Sequence, residues 1–352
     1  INAIMADLLG FRFHYLNSTI DSCAANSRLI SEPLSKYFKM NEESLTHAIC
    51  LLGPTATGKT DICLELAQHL PIEVISVDSA LVYRDMNIGT AKPELDALSQ
   101  CPHHLINIID PNEYYSAAQF KVDAENLAKK IKSRGAIPVF AGGTMMYYKA
   151  LKDGLNQLPV RDADIRKEID LEAKQHGWPH IHEKLKKIDP ETAKRLNPND
   201  SQRIQRAMEV FNITGEPMSK LLDATISNQT TIKTIDIALV PESRSRLHEH
   251  IGLRFKKMIT MGLIEEVVQL KKTWDLSLEM PSMRCVGYRQ VWEFLEGKYD
   301  EQALIDKGSA ATRQLAKRQL TWLRSFSIKH VLDPYSQNTR PQIQRLVETL
   351  TS

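Results

Sequence analysis

The hydrophobic pattern of the chain becomes regular at Ala48. An apolar run from Ala48 to Leu52 has the length of a buried strand, and a helical pattern from Asp61 to Leu70 follows after a short turn. Glu73 to Val77 reads as a second strand that ends at Asp78, and His104 to Ile109 is a further short apolar run. Ser116 and Gln119 stand at the spacing of a capping box, which predicts a helix from there to about Arg134. Gly135 can close that helix in the left-handed conformation. Ala136 to Phe140 reads as another buried strand, followed by Gly142-Gly143-Thr144 and a new helix. Near-continuous apolar strands that alternate with helices predict an α/β fold with a parallel sheet covered on both faces.

The character changes after about Pro159. Residues 159–230 carry long charged helical stretches broken at Asp189-Pro190 and Asn197-Pro198, and they are expected to form a helical insertion. Ile235 to Val240 returns to a strand-like pattern, and Arg244 to about Phe326 is mostly helical. The expected organisation is therefore a core in two parts, 40–158 and 231–335, interrupted by the insertion and followed by a C-terminal tail at 336–352. Residues 1–39 have weak periodicity and are expected to be an extension outside the fold.

Composition narrows the class of protein. A chain of 352 residues with 42% hydrophobic and 25% charged content matches an ordinary soluble globular protein. The formal net charge of +2 calls for no polyanion partner by itself, so any such partner must meet a local basic patch. The five cysteines contain no C-x-x-C pair, which argues against a disulfide framework or structural zinc and suits a reducing cytoplasm. No apolar run approaches the roughly 18–20 residues of a membrane helix, so no membrane partner is expected.

Between the first strand and the first helix stands Gly53-Pro54-Thr55-Ala56-Thr57-Gly58-Lys59-Thr60, a G-x-x-x-x-G-K-T loop. In strand–loop–helix context it is a phosphate cradle (P-loop), so the sheet is expected to be of the P-loop type. The backbone amides and the helix N-terminus face phosphate oxygens, Lys59 supplies a point charge, and the Thr60 hydroxyl can hold Mg²⁺. The loop specifies a diphosphate or triphosphate with magnesium and leaves its carrier open.

Asp78 is placed at a strand end facing the same crevice, as a proton acceptor or a holder of a magnesium-bound water, with a helix-cap or turn aspartate as the bland alternative. Gly142-Gly143 allows a close backbone approach, and Thr144 can donate a hydrogen bond. The strand before it ends without an acidic residue, which counts against an NTPase. Three segments concentrate cations: Gln202-Arg203-Ile204-Gln205-Arg206, Arg284-Cys285-Val286-Gly287-Tyr288-Arg289, and Lys307 to His330, which contains no acidic residue. A helix over the last would align Arg313, Lys317 and Arg324 on one stripe and Ala311, Leu315 and Trp322 on the other, the second docking on the core. Concentrated cations in a near-neutral chain point to a nucleic-acid backbone.

Taken together these segments resemble the bacterial tRNA dimethylallyltransferases. The resemblance rests on the phosphate loop, Ile75 to Tyr83, Ile88-Gly89-Thr90-Ala91-Lys92-Pro93, Gly142 to Met145, Arg284 to Gln290 and Thr312 to Gln319, and it spans about residues 45–335. It implies transfer of a dimethylallyl group from dimethylallyl diphosphate to N6 of the adenosine beside the tRNA anticodon, with Mg²⁺ on Thr60 as cofactor. It places Thr55 to Thr60 on the diphosphate. Asp78, Ser79, Ala80, Leu81 and Thr144 would meet the target adenosine, with Asp78 as general base. Arg166, Gln202 to Arg206, Arg284 to Arg289, and the run Lys317-Arg318-Gln319-Leu320-Thr321-Trp322-Leu323-Arg324 would contact the anticodon stem-loop. Arg254 resembles a family arginine that assists diphosphate binding. A monomer is expected. The rival readings are an ATP-consuming nucleotide kinase or NTPase, an RNA-binding protein without catalysis, and prenylation of free AMP or ATP.

Overall fold

Six strands of the computed structural model make one parallel sheet in the order β3-β2-β4-β1-β5-β6. They are β1 Thr46–Leu52, β2 Ile72–Val77, β3 His103–His104, β4 Ile137–Gly142, β5 Ile232–Leu239 and β6 His330–Leu332. The structure describes residues 46–156, 158–223, 230 and 232–350. The extension expected at 1–39 lies outside the described residues.

The apolar runs become strands because both sheet faces are covered. Ala48 to Leu52 has no exposed surface, and Val74 to Val77 and Val139 to Phe140 are equally enclosed. In register, Ile49 stands opposite Val139 on one side and Ile235 on the other. The chain leaves β1 for β2, β3 and β4, then crosses back over β1 to β5 and β6. The direction of winding reverses at β1, and the crevice beyond its carboxyl end is where such sheets bind ligands.

One face is covered by α3 (Ala117–Ser133) and α4 (Met145–Asp153), which contribute Phe120, Ile131, Tyr147 and Leu151. The capping box of Ser116 and Gln119 starts α3, and Gly135 follows it at φ 78°. The other face receives Ile62 and Leu66 of α1 (Lys59–Ala67), while the short α2 (Leu95–Gln100) buries no side chain. Between β4 and β5 the chain forms α5 (Ala163–His176), α6 (Trp178–Ile188), α7 (Pro190–Arg195), α8 (Ser201–Thr214) and α9 (Met218–Asp223). These helices bury a core of their own around Ile181, Leu185 and Ile204. Asp189 caps α7 through the Thr192 amide, so the Asp-Pro break in the sequence is a helix start.

After β5 come α10 (Arg244–Thr260), α11 (Leu263–Thr273), α12 (Tyr288–Leu295), α13 (Glu301–Leu323) and α14 (Thr339–Glu348). The long α13 lies against α10 at Gly308, where a Cβ would fall 1.9 Å from the Phe255 ring.

Two expectations are corrected here. The segment taken as a tail contains α14, whose Ile343 and Val347 have no exposure, because their spacing of four puts both on one helix face against the sheet. On α13 the buried stripe is Leu304, Gly308, Ala316, Leu320 and Leu323; of the stripe expected from the sequence Trp322 packs half-buried against the same core, whereas Ala311 and Leu315 are not among its residues. The small residues permit the close approach to Phe255, and that rotates Leu315 and Trp322 toward a cleft. The apolar run His104 to Ile109 contributes one strand residue, since Leu105 and Asn107 adopt φ 60° and 54° and cannot continue an extended strand.

Candidate active site

The phosphate loop joins β1 to α1 at the winding reversal. Gly58 takes φ 70° as the residue before the first helical turn, and Ala56 takes φ 65°, a strained conformation for a residue with a Cβ. Lys59 Nζ donates to Gly53 O at 2.9 Å and Pro54 O at 2.7 Å, and Thr57 Oγ1 donates to Pro54 O at 2.8 Å. The loop is thus curled around its own lysine. Burial pulls the Lys59 ammonium down to about 8, with Asp78 opposing that shift and Arg254 reinforcing it.

Asp78 follows β2 directly, and its Oδ1 accepts the Ala80 amide at 2.8 Å. Glycine makes the neighbouring turn possible: a Cβ on Gly142 would lie 2.1 Å from Val77 O. Gly143 N and Thr144 N both donate to that carbonyl, at 3.1 and 3.0 Å. Thr144 Oγ1 then accepts the Ser79 amide at 3.0 Å and donates to Ser79 Oγ at 3.3 Å. Asp78, Ser79 and Thr144 are therefore one stitched unit built on two adjacent strand ends.

A cavity of about 730 Å³ connects this unit with the loop. Thr55 to Thr60, Asp78 to Leu81 and Gly142 to Thr144 line it, together with Arg254, Arg284 and Arg318. Burial also lowers the Arg254 guanidinium, which Asp78 and Asp61 counter. Ile251, Phe255, Met258 and Leu315 supply an apolar wall. Burial, helped by Asp78, pushes the Cys285 thiol up to about 12, so at neutral pH it is a protonated part of the wall and not a nucleophile.

The remaining candidates divide. Arg284, Cys285 and Val286 line the cavity, but Gly287 and Tyr288 are buried behind it. The Tyr288 hydroxyl donates to Glu266 at 2.6 Å, and the same carboxylate accepts the amides of Asn87, Ile88 and Gly89 at 2.9, 2.7 and 3.1 Å. This organises the Gly89-Thr90-Ala91 wall of the cavity from a residue 177 positions away, which no local signal announces. Half-buried Arg289 donates to Leu278 O at 3.4 Å. On α13, Lys317, Arg318, Thr321 and Arg324 are exposed, Trp322 is half-buried in the cavity wall, and Leu320 and Leu323 belong to the core.

On α8, Gln202 and Arg203 are exposed while Ile204 and Gln205 are buried. Arg166 and Arg206 meet at Glu209, which has no exposure, at distances of 2.9 and 2.7 Å. Burial alone would raise the Glu209 carboxyl, and hydrogen bonds from the two arginines hold it below its ordinary value. Both arginines are thus engaged inside the helical stretch and stand outside the cavity lining.

Comparison with known proteins shows the family of the chain. A family model described as IPP transferase matches residues 81–326, and one described as isopentenyl transferase matches residues 46–109. The tRNA dimethylallyltransferase of Paraburkholderia xenovorans is 52% identical over 314 residues, covering 88% of this chain and 100% of that protein. That of Burkholderia lata is 54% identical over 293 residues, covering 82% and 90%. Among solved structures, the tRNA isopentenylpyrophosphate transferase of Bacillus halodurans shares 33% identity at a TM-score of 0.61, covering 86% of this chain and 96% of that one. A eukaryotic dimethylallyltransferase acting on tRNA superposes at a TM-score of 0.69 with 27% identity, covering 86% and 78%. With a P-loop-type sheet, a family match over most of its length and relatives above 50% identity, this chain belongs to the tRNA dimethylallyltransferase family of prenyl-transferring enzymes.

Proposed function

We propose that the protein transfers a dimethylallyl group from dimethylallyl diphosphate to N6 of the adenosine beside the tRNA anticodon. The observation that carries this reading is the single cavity shared by the phosphate loop and the Asp78–Ser79–Thr144 unit. Its volume of about 730 Å³ is in the range of small-molecule sites. One end offers amides and cations to a diphosphate, and the other offers a carboxylate and a hydroxyl to a purine edge.

The allylic C–O bond breaks and the diphosphate leaves with the electron pair. The N6 lone pair forms the new C–N bond, and the N6 proton passes to Asp78. A general base in that place is worth roughly 10²–10⁴-fold. The loop amides, Lys59 and Arg254 take up the charge that develops on the leaving oxygens. The apolar wall excludes water from the allylic carbon, and the adenine enters unstacked.

The donor set fits Mg²⁺. Among the described residues no group of three or more His, Cys, Asp or Glu forms a metal cluster. Mg²⁺ needs few protein ligands, because water and substrate phosphates complete its shell. The Thr60 hydroxyl, with Asp61 or Asp78 through water, would hold it, and the ion would add positive charge to the leaving diphosphate.

Exposed Arg203, Lys317, Arg318 and Arg324 would position the anticodon stem-loop by its phosphates. In this reading the helices of 159–230 clamp the stem, residues 40–158 and 231–335 form the catalytic core, and the enzyme works as a cytoplasmic monomer. No helix among the described residues is long and apolar enough to cross a membrane.

The test is to supply radiolabelled dimethylallyl diphosphate with either tRNA or ATP. Label entering tRNA alone supports the reading. Label entering ATP alone replaces it with prenylation of a free nucleotide.

A further inference from the structure

The Gln319 side chain joins three parts of the site. Its Oε1 accepts the Thr55 amide of the phosphate loop at 3.0 Å, and its Nε2 donates to Gly143 O at 2.9 Å. The two bonds span 264 and 176 positions of chain, so they tie α13 to the ends of both β1 and β4. The fit is tight. A Cβ added to Gly143 would fall 2.4 Å from Gln319 Nε2 and 2.9 Å from Gly53 O. Gln319 is half-buried and faces the cavity, whereas its neighbours Lys317 and Arg318 are exposed.

We propose that Gln319 is a positioning residue for the transfer reaction, fixing the diphosphate loop against the Gly142-Gly143-Thr144 turn, and that it is not an RNA contact. The donor's leaving group would rest on the loop, and the acceptor amine would rest at Asp78 and Thr144. The distance between them is the distance the reaction must close. Gln319 is the side chain that hydrogen-bonds to both the loop and that turn, through Thr55 and Gly143. A primary amide of this length meets both needs without depending on pH, since one end accepts an N–H and the other donates to a carbonyl. A shift of about 1 Å between reacting groups costs on the order of 10²-fold in rate. Loss of Gln319 therefore acts on turnover more than on binding.

The inference rests on the transfer reading above, and the test separates the two. Wild-type enzyme is first shown to prenylate tRNA; if it does not, the transfer reading fails irrespective of Gln319. Gln319→Met then keeps the volume and removes both hydrogen bonds. The expected result is a fall in kcat of roughly tenfold or more at saturating donor and tRNA, with the tRNA Kd within about twofold of wild type. Gln319→Glu keeps the acceptor for Thr55, loses the donor to Gly143 and brings a negative charge to the donor end. Its donor KM is expected to rise about tenfold while tRNA affinity holds. A Gln319→Glu enzyme with weakened tRNA binding and an unchanged donor KM would identify an RNA contact and overturn the proposal. So would a Gln319→Met enzyme with wild-type kcat.

Discussion

The two ends of the cavity are built by different means. The donor end is mostly main chain: a short loop between β1 and α1, with amides, a helix N-terminus and one lysine folded against its own carbonyls. The proposed acceptor end and the exposed basic residues of the α13 segment are side chains carried by separate elements, the cavity walls among them held by Glu266, Gln319 and the two adjacent strand ends. Main-chain sites are encoded where they stand. Side-chain sites depend on packing between segments far apart in sequence. The first kind should therefore depend on few residues outside its own window, Gln319 on the Thr55 amide being the one described above, and the second should fail more readily from a distance.

The sharpest way to break this comparison is Asp78→Asn, which keeps shape and removes the base. Turnover is expected to fall by about 10²–10⁴-fold, measured as single-turnover label transfer, while both substrates bind as before. Equal turnover would move the proton acceptor elsewhere.

Glu209→Ala addresses the helical stretch between β4 and β5. It strands Arg166 and Arg206 around a buried void, and unfolding is expected to become easier by about 3–5 kcal/mol. Urea melts read this directly, with donor binding by the folded enzyme unchanged, because the cavity lining does not include these residues.

Lys59→Met is expected to weaken diphosphate binding by roughly 10–100-fold, the value of a charge-assisted hydrogen bond. Its pH response sharpens the point. The Lys59 ammonium titrates at about 8, below its ordinary value, so its charge is lost as pH rises through 8. Diphosphate affinity should decline above that pH in wild type and lose this dependence in Lys59→Met, as calorimetry with inorganic diphosphate would show.

Lys317→Glu combined with Arg324→Glu has the smallest expected effect at low salt. The slope of log affinity for tRNA against log salt should become shallower by about 0.7–0.9 for each phosphate that is no longer neutralised. An unchanged slope would remove the exposed face of α13 from the RNA interface.

The same division decides what the sequence made legible. Strands β1, β2, β4 and β5, the capping box at Ser116, the phosphate loop and the placement of Asp78 at a strand end were readable, because each is set by residues within one short window, whereas β3 and β6, of two and three residues, were too short to register. The rotation of α13 was not. Its apolar residues offered two faces, and the choice was made by Gly308 meeting Phe255, a packing event between two helices. The helix at 339–348 was missed because its buried face is Thr339, Ile343 and Val347, of which only two are apolar, too few to register as a hydrophobic period. Reading whole segments as RNA contacts also swept in Ile204, Tyr288, Leu320 and Leu323, whose side chains are core. In a helix, consecutive residues face different ways, and only some positions of a matching segment can reach a ligand. Glu266 and Gln319 gave no signal of their structural parts, since the cavity-wall and loop backbone groups they bind lie more than 170 positions away.

The measurement that tests the central claim most directly is nucleoside analysis of tRNA after incubation with labelled dimethylallyl diphosphate and the enzyme. Diphosphate release should match label incorporation one for one, and nuclease digestion should place all label on the adenosine beside the anticodon. Rapid hydrolysis of ATP with every tRNA nucleoside unlabelled would contradict it.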